Sequence, residues 1–234
     1  MILLVKLILA HMLGDFLFQP NTWVVAKEEK KLYSWQLYVH ALIHFVLIML
    51  LTADITFWKW AILLAALHLV SDTARLYIQT VKTKQTFFFI DQFFHFLYIF
   101  LIWLWYQGKW ILPPVQNKEF YIILFTVIYT LTKPVSLFIS AFISRWLPEK
   151  EGNNFDYLHK AGNYIGIFER LFVFAFVFYD KWDAVGFLIA AKSIFRFGGL
   201  QETDDKKRPE YIMIGTLLSF GIAMLAGILL SQMK

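Results

Sequence analysis

"MILLVKLILAHMLGDFLFQP", residues 1–20, decides the fold. The stretch from 2 to 18 is long and apolar enough to cross a bilayer, for which roughly 17–25 residues suffice. Yet His11 and Asp15 interrupt it, four residues apart. The rest of the chain repeats the apolar density. Of its 234 residues 59% are apolar and 17% charged, where a soluble domain carries about a quarter charged residues. The chain reads as an integral membrane protein. There is no cysteine, which excludes disulfides, zinc–thiolate sites and thiol nucleophiles. Lys6 lies inside the first apolar run and no small-x-small cleavage site follows, so a retained helix is expected rather than a signal peptide.

Eight apolar runs follow one another, at about 2–18, 36–53, 57–78, 87–106, 119–142, 163–179, 183–198 and 211–232. They predict an all-α, polytopic transmembrane bundle in two halves, 1–110 and 118–234. Lys133-Pro134 falls inside the fifth run and predicts a kink or break there. Basic residues set the orientation. Fourteen fall on the side reached by the odd-numbered loops and five on the other, with Lys6, Lys133 and Arg170 inside spans. The odd loops are therefore expected to be cytoplasmic and both termini outside. The net charge of +5 is accounted for by topology and implies no nucleic-acid partner.

The first four runs each carry a pair of ligand-type residues four apart: His11/Asp15, His40/His44, His68/Asp72 and Asp91/His95. Four residues is about one helical turn, so each pair shares a helix face and can offer two ligands to one ion. His, Asp and Glu make up 23 of the 234 positions, so such a partner is expected for about one histidine in five. All five histidines of the first half have one, while His159 has none. The runs alternate in direction, with pairs late in the first and third and early in the second and fourth. All eight side chains thus reach one level of the membrane. Ionisable groups there cost a few kcal/mol each and usually face a cavity or one another. Imidazole and carboxylate suit a divalent transition metal, zinc above all. The surplus over the three or four ligands of one zinc is available for a second shell or for acid–base work by Asp15, Asp72 and Asp91. Arg75, three after Asp72, is placed to neutralise it. Gly14 leaves room for a neighbouring helix or ligand.

Polar residues recur in the second half. Glu169 and Arg170 lie in the sixth run, Lys192 and Arg196 in the seventh, and Glu210 at the start of the eighth. They read either as a salt-bridged plug or as an anion site, in which Arg170, Lys192 and Arg196 hold phosphate or carboxylate.

His11-x-x-Gly14-Asp15-Phe16-x-x-Gln19, followed by His40-x3-His44, His68-x3-Asp72 and Asp91-Gln92-x-x-His95, resembles a bacterial family of integral membrane proteins, domain-of-unknown-function family 3307. "GNYIGIFER", "AAKSIFRF" and "EYIMIGTLLS" resemble the C-terminal extension of its longer members. The resemblance implies a bacterial inner-membrane location and no particular activity.

Three functions fit these residues. The first is a membrane-embedded, metal-dependent hydrolase facing the cytoplasm, acting on an anionic, lipid-like or phosphorylated substrate. The second is a transporter of a metal ion or small anion, which would want polar residues along the whole path, whereas here they concentrate on one side. The third is a non-catalytic assembly partner whose polar cluster only packs.

Overall fold

The computed structural model describes residues 2–108, 117–143, 155–198 and 208–233. Among them every regular element is helical, as an all-α bundle requires. They are α1 (Ile2–Phe16), α2 (Asn21–Lys30), α3 (Trp35–Thr52), α4 (Trp58–Ile78), α5 (Lys84–Gln107), α6 (Asn117–Thr130), α7 (Lys133–Ile143), α8 (Phe155–Phe178), α9 (Trp182–Gly198) and α10 (Arg208–Ser231). Short 3-10 turns at Lys31–Tyr33 and Ile55–Phe57 lead into α3 and α4. The chain forms two compact units that divide between Thr126 and Val127, inside α6.

In the first unit α1, α3, α4 and α5 pack in a ring, each on the next, with α5 closing against α1. The ring's apolar core joins Leu7 and Ala10 of α1, Ile48 of α3, Ala61 and Leu64 of α4, and Ile99, Ile102 and Trp103 of α5. In the second unit α10 packs on α7 and α8, and α8 also meets α7 and α9. Gly227 sets the α8–α10 approach: a Cβ there would lie 2.9 Å from Val177 Cβ and 3.1 Å from the Phe174 carbonyl. A larger residue would push the helices apart.

Pro20 ends the first apolar run. It is extended (φ −68°, ψ 152°), and a proline at this point favours an extended residue before it, so α1 stops at Phe16 and α2 starts at a bend of 78°. α1 has 15 residues, or about 22 Å of helix, short of a hydrocarbon core of about 30 Å. Among the described residues five helical stretches, one of them α6 and α7 taken together, are long and apolar enough to cross a membrane, or six with the bent α1–α2 pair, against the eight apolar runs of the sequence. These helices mark a membrane protein. The fifth run is interrupted as Lys133-Pro134 predicts: α6 ends at Thr130, Leu131 and Thr132 form a turn, and α7 starts at Lys133.

Candidate metal centre

The four pairs meet in the middle of the first unit. The alternation of helix direction puts the last turns of α1, the early turns of α3 and α5 and the later turns of α4 at one level. His11, His40, His44, His68, Asp72, Asp91 and His95 are all buried, and the Asp15 side chain retains 9% of its exposure.

Asp15 is the hub. Its Oδ1 lies 3.2 Å from His40 Nε2, 3.0 Å from His44 Nε2 and 3.4 Å from His68 Nε2. His40 Nε2 is itself 3.3 Å from His44 Nε2 and 3.0 Å from His68 Nε2. These are five of the six edges of a tetrahedron. Zinc bonds of about 2.0–2.1 Å to four such donors require edges of about 3.3 Å. Hydrogen bonding accounts poorly for the same contacts. An imidazole nitrogen carries one proton or one lone pair and so serves one partner in its plane, whereas His40 Nε2 has three polar atoms within 3.3 Å. The donor set suits a divalent transition metal.

His44 reaches this position because Gly14 has no side chain. A Cβ on Gly14 would lie 2.4 Å from His44 Cε1 and 2.6 Å from Nε2. The close approach expected of Gly14 is thus made by the His44 ring.

His11 stands differently. Gln92 Nε2 donates to Asp15 Oδ2 at 2.8 Å, because a carboxylate only accepts. The Gln92 amide oxygen then faces His11 Nε2 at 3.2 Å, which must carry the proton. His11 Nε2 is therefore a donor that braces Gln92 and, through it, Asp15, while remaining close to the cluster. His95 stacks on His68 with ring centroids 4.0 Å apart, and among the described residues neither of its ring nitrogens has a hydrogen-bond partner.

Asp72 and Asp91 form a second layer, each with a cation. Lys27 Nζ donates to Asp72 Oδ2 at 2.6 Å. Arg75 Nη1 donates to Asp91 Oδ2 at 2.9 Å, closer than its 3.7 Å approach to Asp72. The sequence suggests Arg75 as the neutraliser of Asp72, but the nearer cation is Lys27, and Arg75 serves Asp91 first. Asp91 Oδ1 has no hydrogen-bond partner among the described residues and lies 3.6 Å from His95 Nε2. Asp72 also approaches His40 Nε2, at 3.8 Å. Two further ligand groupings result, His40/His68/Asp72 and Asp72/Asp91/His95.

Lys27 is the residue that sequence reasoning misses. It reads as one of several loop lysines, yet it is fully buried. The signal is its phase: Trp23, Val24 and Lys27 share a face of α2, one turn apart, while Glu28 turns outward to Lys84 at 2.6 Å. Gln92 appears in the sequence only as part of a motif, and its role as a brace depends on contacts between helices.

The second unit gathers Arg170, Lys192 and Glu169 around a cavity between α7, α8, α9 and α10. Lys192 and Glu169 form an ion pair. Arg170 is buried and donates to the Leu131 carbonyl (2.7 Å), the Thr132 carbonyl (3.3 Å), Ser219 Oγ (3.2 Å) and Ser136 Oγ. Burial lets it cap the Leu131 carbonyl, which the break before Pro134 leaves without a helical partner, while the Thr132 carbonyl also accepts from the Ser136 backbone N–H at 3.2 Å. The side chains of Arg196 and Glu210 lie outside the described residues.

No curated protein and no solved structure matches the chain. A family model does match, over residues 3–124, the stretch that carries all four pairs together with Lys27, Arg75 and Gln92. On that match the chain belongs to DUF3307, a family described as of unknown function.

Proposed function

We propose that this chain is a membrane-embedded, metal-dependent hydrolase of the bacterial inner membrane. It holds a divalent transition metal, zinc by preference, on His40, His44, His68 and Asp15. The observation that carries this reading is the meeting of three imidazole nitrogens with one carboxylate oxygen, five of whose six separations are 3.0–3.4 Å. When bound, zinc supplies a Lewis acid and a water that ionises near neutrality.

The chain's own residues do the rest. His11 and Gln92 fix Asp15. Asp72 and Asp91, each steadied by its own cation, are the acid–base carboxylates. With the three carboxylates ionised and the imidazoles neutral, Lys27 and Arg75 leave the centre at −1. A dication takes it to +1, a balance that favours an anionic, lipid-like or phosphorylated substrate. The site faces the cytoplasm in this reading. Lys27, Arg75 and Lys192 spend their charge on internal partners. Without them the basic asymmetry between the two sides is eleven against five, which still supports cytoplasmic odd loops.

Elemental analysis of the purified protein tests the centre. One zinc-class ion per chain is expected, lost in the His40→Ala/His44→Ala variant. Wild-type protein free of transition metal after purification without chelator would remove the basis of the reading. Turnover of an acidic phospholipid in mixed micelles, abolished by chelation, is the functional arm.

Ion transport is the second reading. In its favour is a small cavity beside His11, His44, His68 and His95 that continues between Leu7, Ile48, Leu64 and Ile99, away from the Lys27–Asp72 layer. Flux of zinc into proteoliposomes without lipid turnover would replace the hydrolase by a transporter.

A further inference from the structure

The cavity of the second unit has a chemistry of its own. It is about 290 Å³, and its polar wall holds Arg170, Lys192, Glu169, Ser136, Ser219 and Thr216. Arg170 is nearly fully buried, and every acceptor it meets among the described residues is a neutral oxygen. Its direct hydrogen-bond partners are thus carbonyl and hydroxyl dipoles, and the Glu169 carboxylate acts on its charge only without a direct contact. Glu169 is engaged with Lys192. With both cations and Glu169 ionised the wall stands at +1, inside a bundle of apolar helices where charge is costly. A monoanion entering the cavity brings the wall to neutrality.

A second cavity adjoins the first. It is a groove of about 180 Å³ between α9 and α10, lined by Ile189, Met213, Leu217 and Phe220. Lys192 and Thr216 line both spaces. Lys192 Nζ sits 5.3 Å above the Phe220 ring, at the point where the polar wall passes into the apolar one. A ligand filling both must have an anionic head and an apolar tail joined at Lys192.

We infer that the second unit is a binding site for a membrane phospholipid with a singly charged anionic headgroup. The headgroup lies against Arg170 and Lys192, and one acyl chain lies in the α9–α10 groove. The inference rests on the hydrolase reading only in taking such a lipid as the substrate. Binding itself stands on the second unit alone.

Native mass spectrometry of the full chain, released from detergent micelles doped with phosphatidylglycerol or phosphatidylcholine, tests it. Phosphatidylglycerol should be retained about tenfold better, the worth of one charge-assisted contact of this kind. Two variants should move that preference in opposite directions. Lys192→Gln brings the wall to zero and should erase it. Glu169→Gln brings the wall to +2 and should enlarge it. Millimolar inorganic phosphate should not displace the lipid, because it cannot fill the groove. Equal retention of the two lipids, shifts of the same sign in the two variants, or displacement by phosphate would each overturn the inference. The His40→Ala/His44→Ala variant separates the two proposals. It should lose its metal and keep its preference for phosphatidylglycerol, so the failure of one reading leaves the other measurable.

Discussion

Gly14→Ala changes one methyl group, and the structure says where that methyl goes. The new Cβ would stand 2.4 Å from His44 Cε1, 2.6 Å from Nε2 and 2.9 Å from Nδ1. Carbon contacts settle at about 3.5 Å, so the His44 ring must withdraw by about 1 Å. A ligand bond of about 2.1 Å does not survive a shift of that size. Even outer-shell losses cost 10–100-fold in metal affinity, so displacement of a ligand should cost at least about 100-fold. Stability should move far less. Alanine is better than glycine in a helix by up to about 1 kcal/mol. The lost contact between His44 and Asp15 costs about as much in the other direction. The assay is zinc competition against a chelator on the purified protein, with thermal unfolding in detergent measured alongside. Gly14→Ala in a His44→Ala background should have no further effect on zinc affinity, since the clash then has no partner. Zinc affinity within threefold of wild type in the single variant would refute the assignment of His44 as a ligand that depends on Gly14.

Lys27→Met leaves the Asp72 carboxylate to the more distant Arg75 guanidinium, 3.7 Å away, and should destabilise the protein by about 3 kcal/mol, whereas Lys27→Met/Asp72→Leu should recover most of the loss, as replacement of a buried pair by apolar groups often does. Thermal unfolding of the two variants decides it, and equal melting temperatures would show that the pair carries no such penalty. Asp15→Asn should abolish metal binding while leaving the metal-free protein at least as stable as wild type, because it removes a buried charge that has no lysine or arginine beside it. Titration with zinc together with melting of the chelator-treated protein reads both effects. Arg170→Met should cost about 1–3 kcal/mol, since the Leu131 carbonyl loses its donor, and the measurement is again the unfolding midpoint.

The four pairs were legible because helical periodicity is local: two ligand-type residues one turn apart must share a face, whatever the tertiary structure. Their common level followed from alternating helix direction, which needs only the order of the runs. The end of the first helix was legible to within two residues, since the apolar run stops at 18 and α1 at Phe16. Lys27 was not, because "VVAKEEKK" reads as a solvated charge run and only the docking of α2 decides which lysine turns inward. Nor could the sequence divide the eight polar residues into roles. In the fold His11 and His44 both approach Asp15, but one gives its Nε2 proton to Gln92 and the other aims its Nε2 at the Asp15 oxygen. That difference depends on the direction of one amide on α5. Arg170 was read as either a plug or an anion ligand. Its main structural task, capping carbonyls at the α6–α7 break, appears only once the break and α8 lie side by side.

The electrostatics of the three buried aspartates then point to a single atom. A carboxylate buried without a cation is among the most expensive groups a protein can hold. Asp72 meets that cost with Lys27, and Asp91 with Arg75. Asp15 has neither. Among the described residues its oxygens meet only the Gln92 amide and neutral-capable imidazoles. Imidazoles could each take a proton and supply the charge, but three nitrogens within 3.4 Å of one oxygen, two of them 3.0–3.3 Å from the third, would then repel one another as cations. At most one proton is tolerable, and it neutralises Asp15 while leaving the other two nitrogens aimed at a position they cannot use. A divalent cation at that position would more than offset the carboxylate's charge and would take up all three lone pairs together. The atom that most needs a positive charge is thus the atom around which the donors are spaced for one.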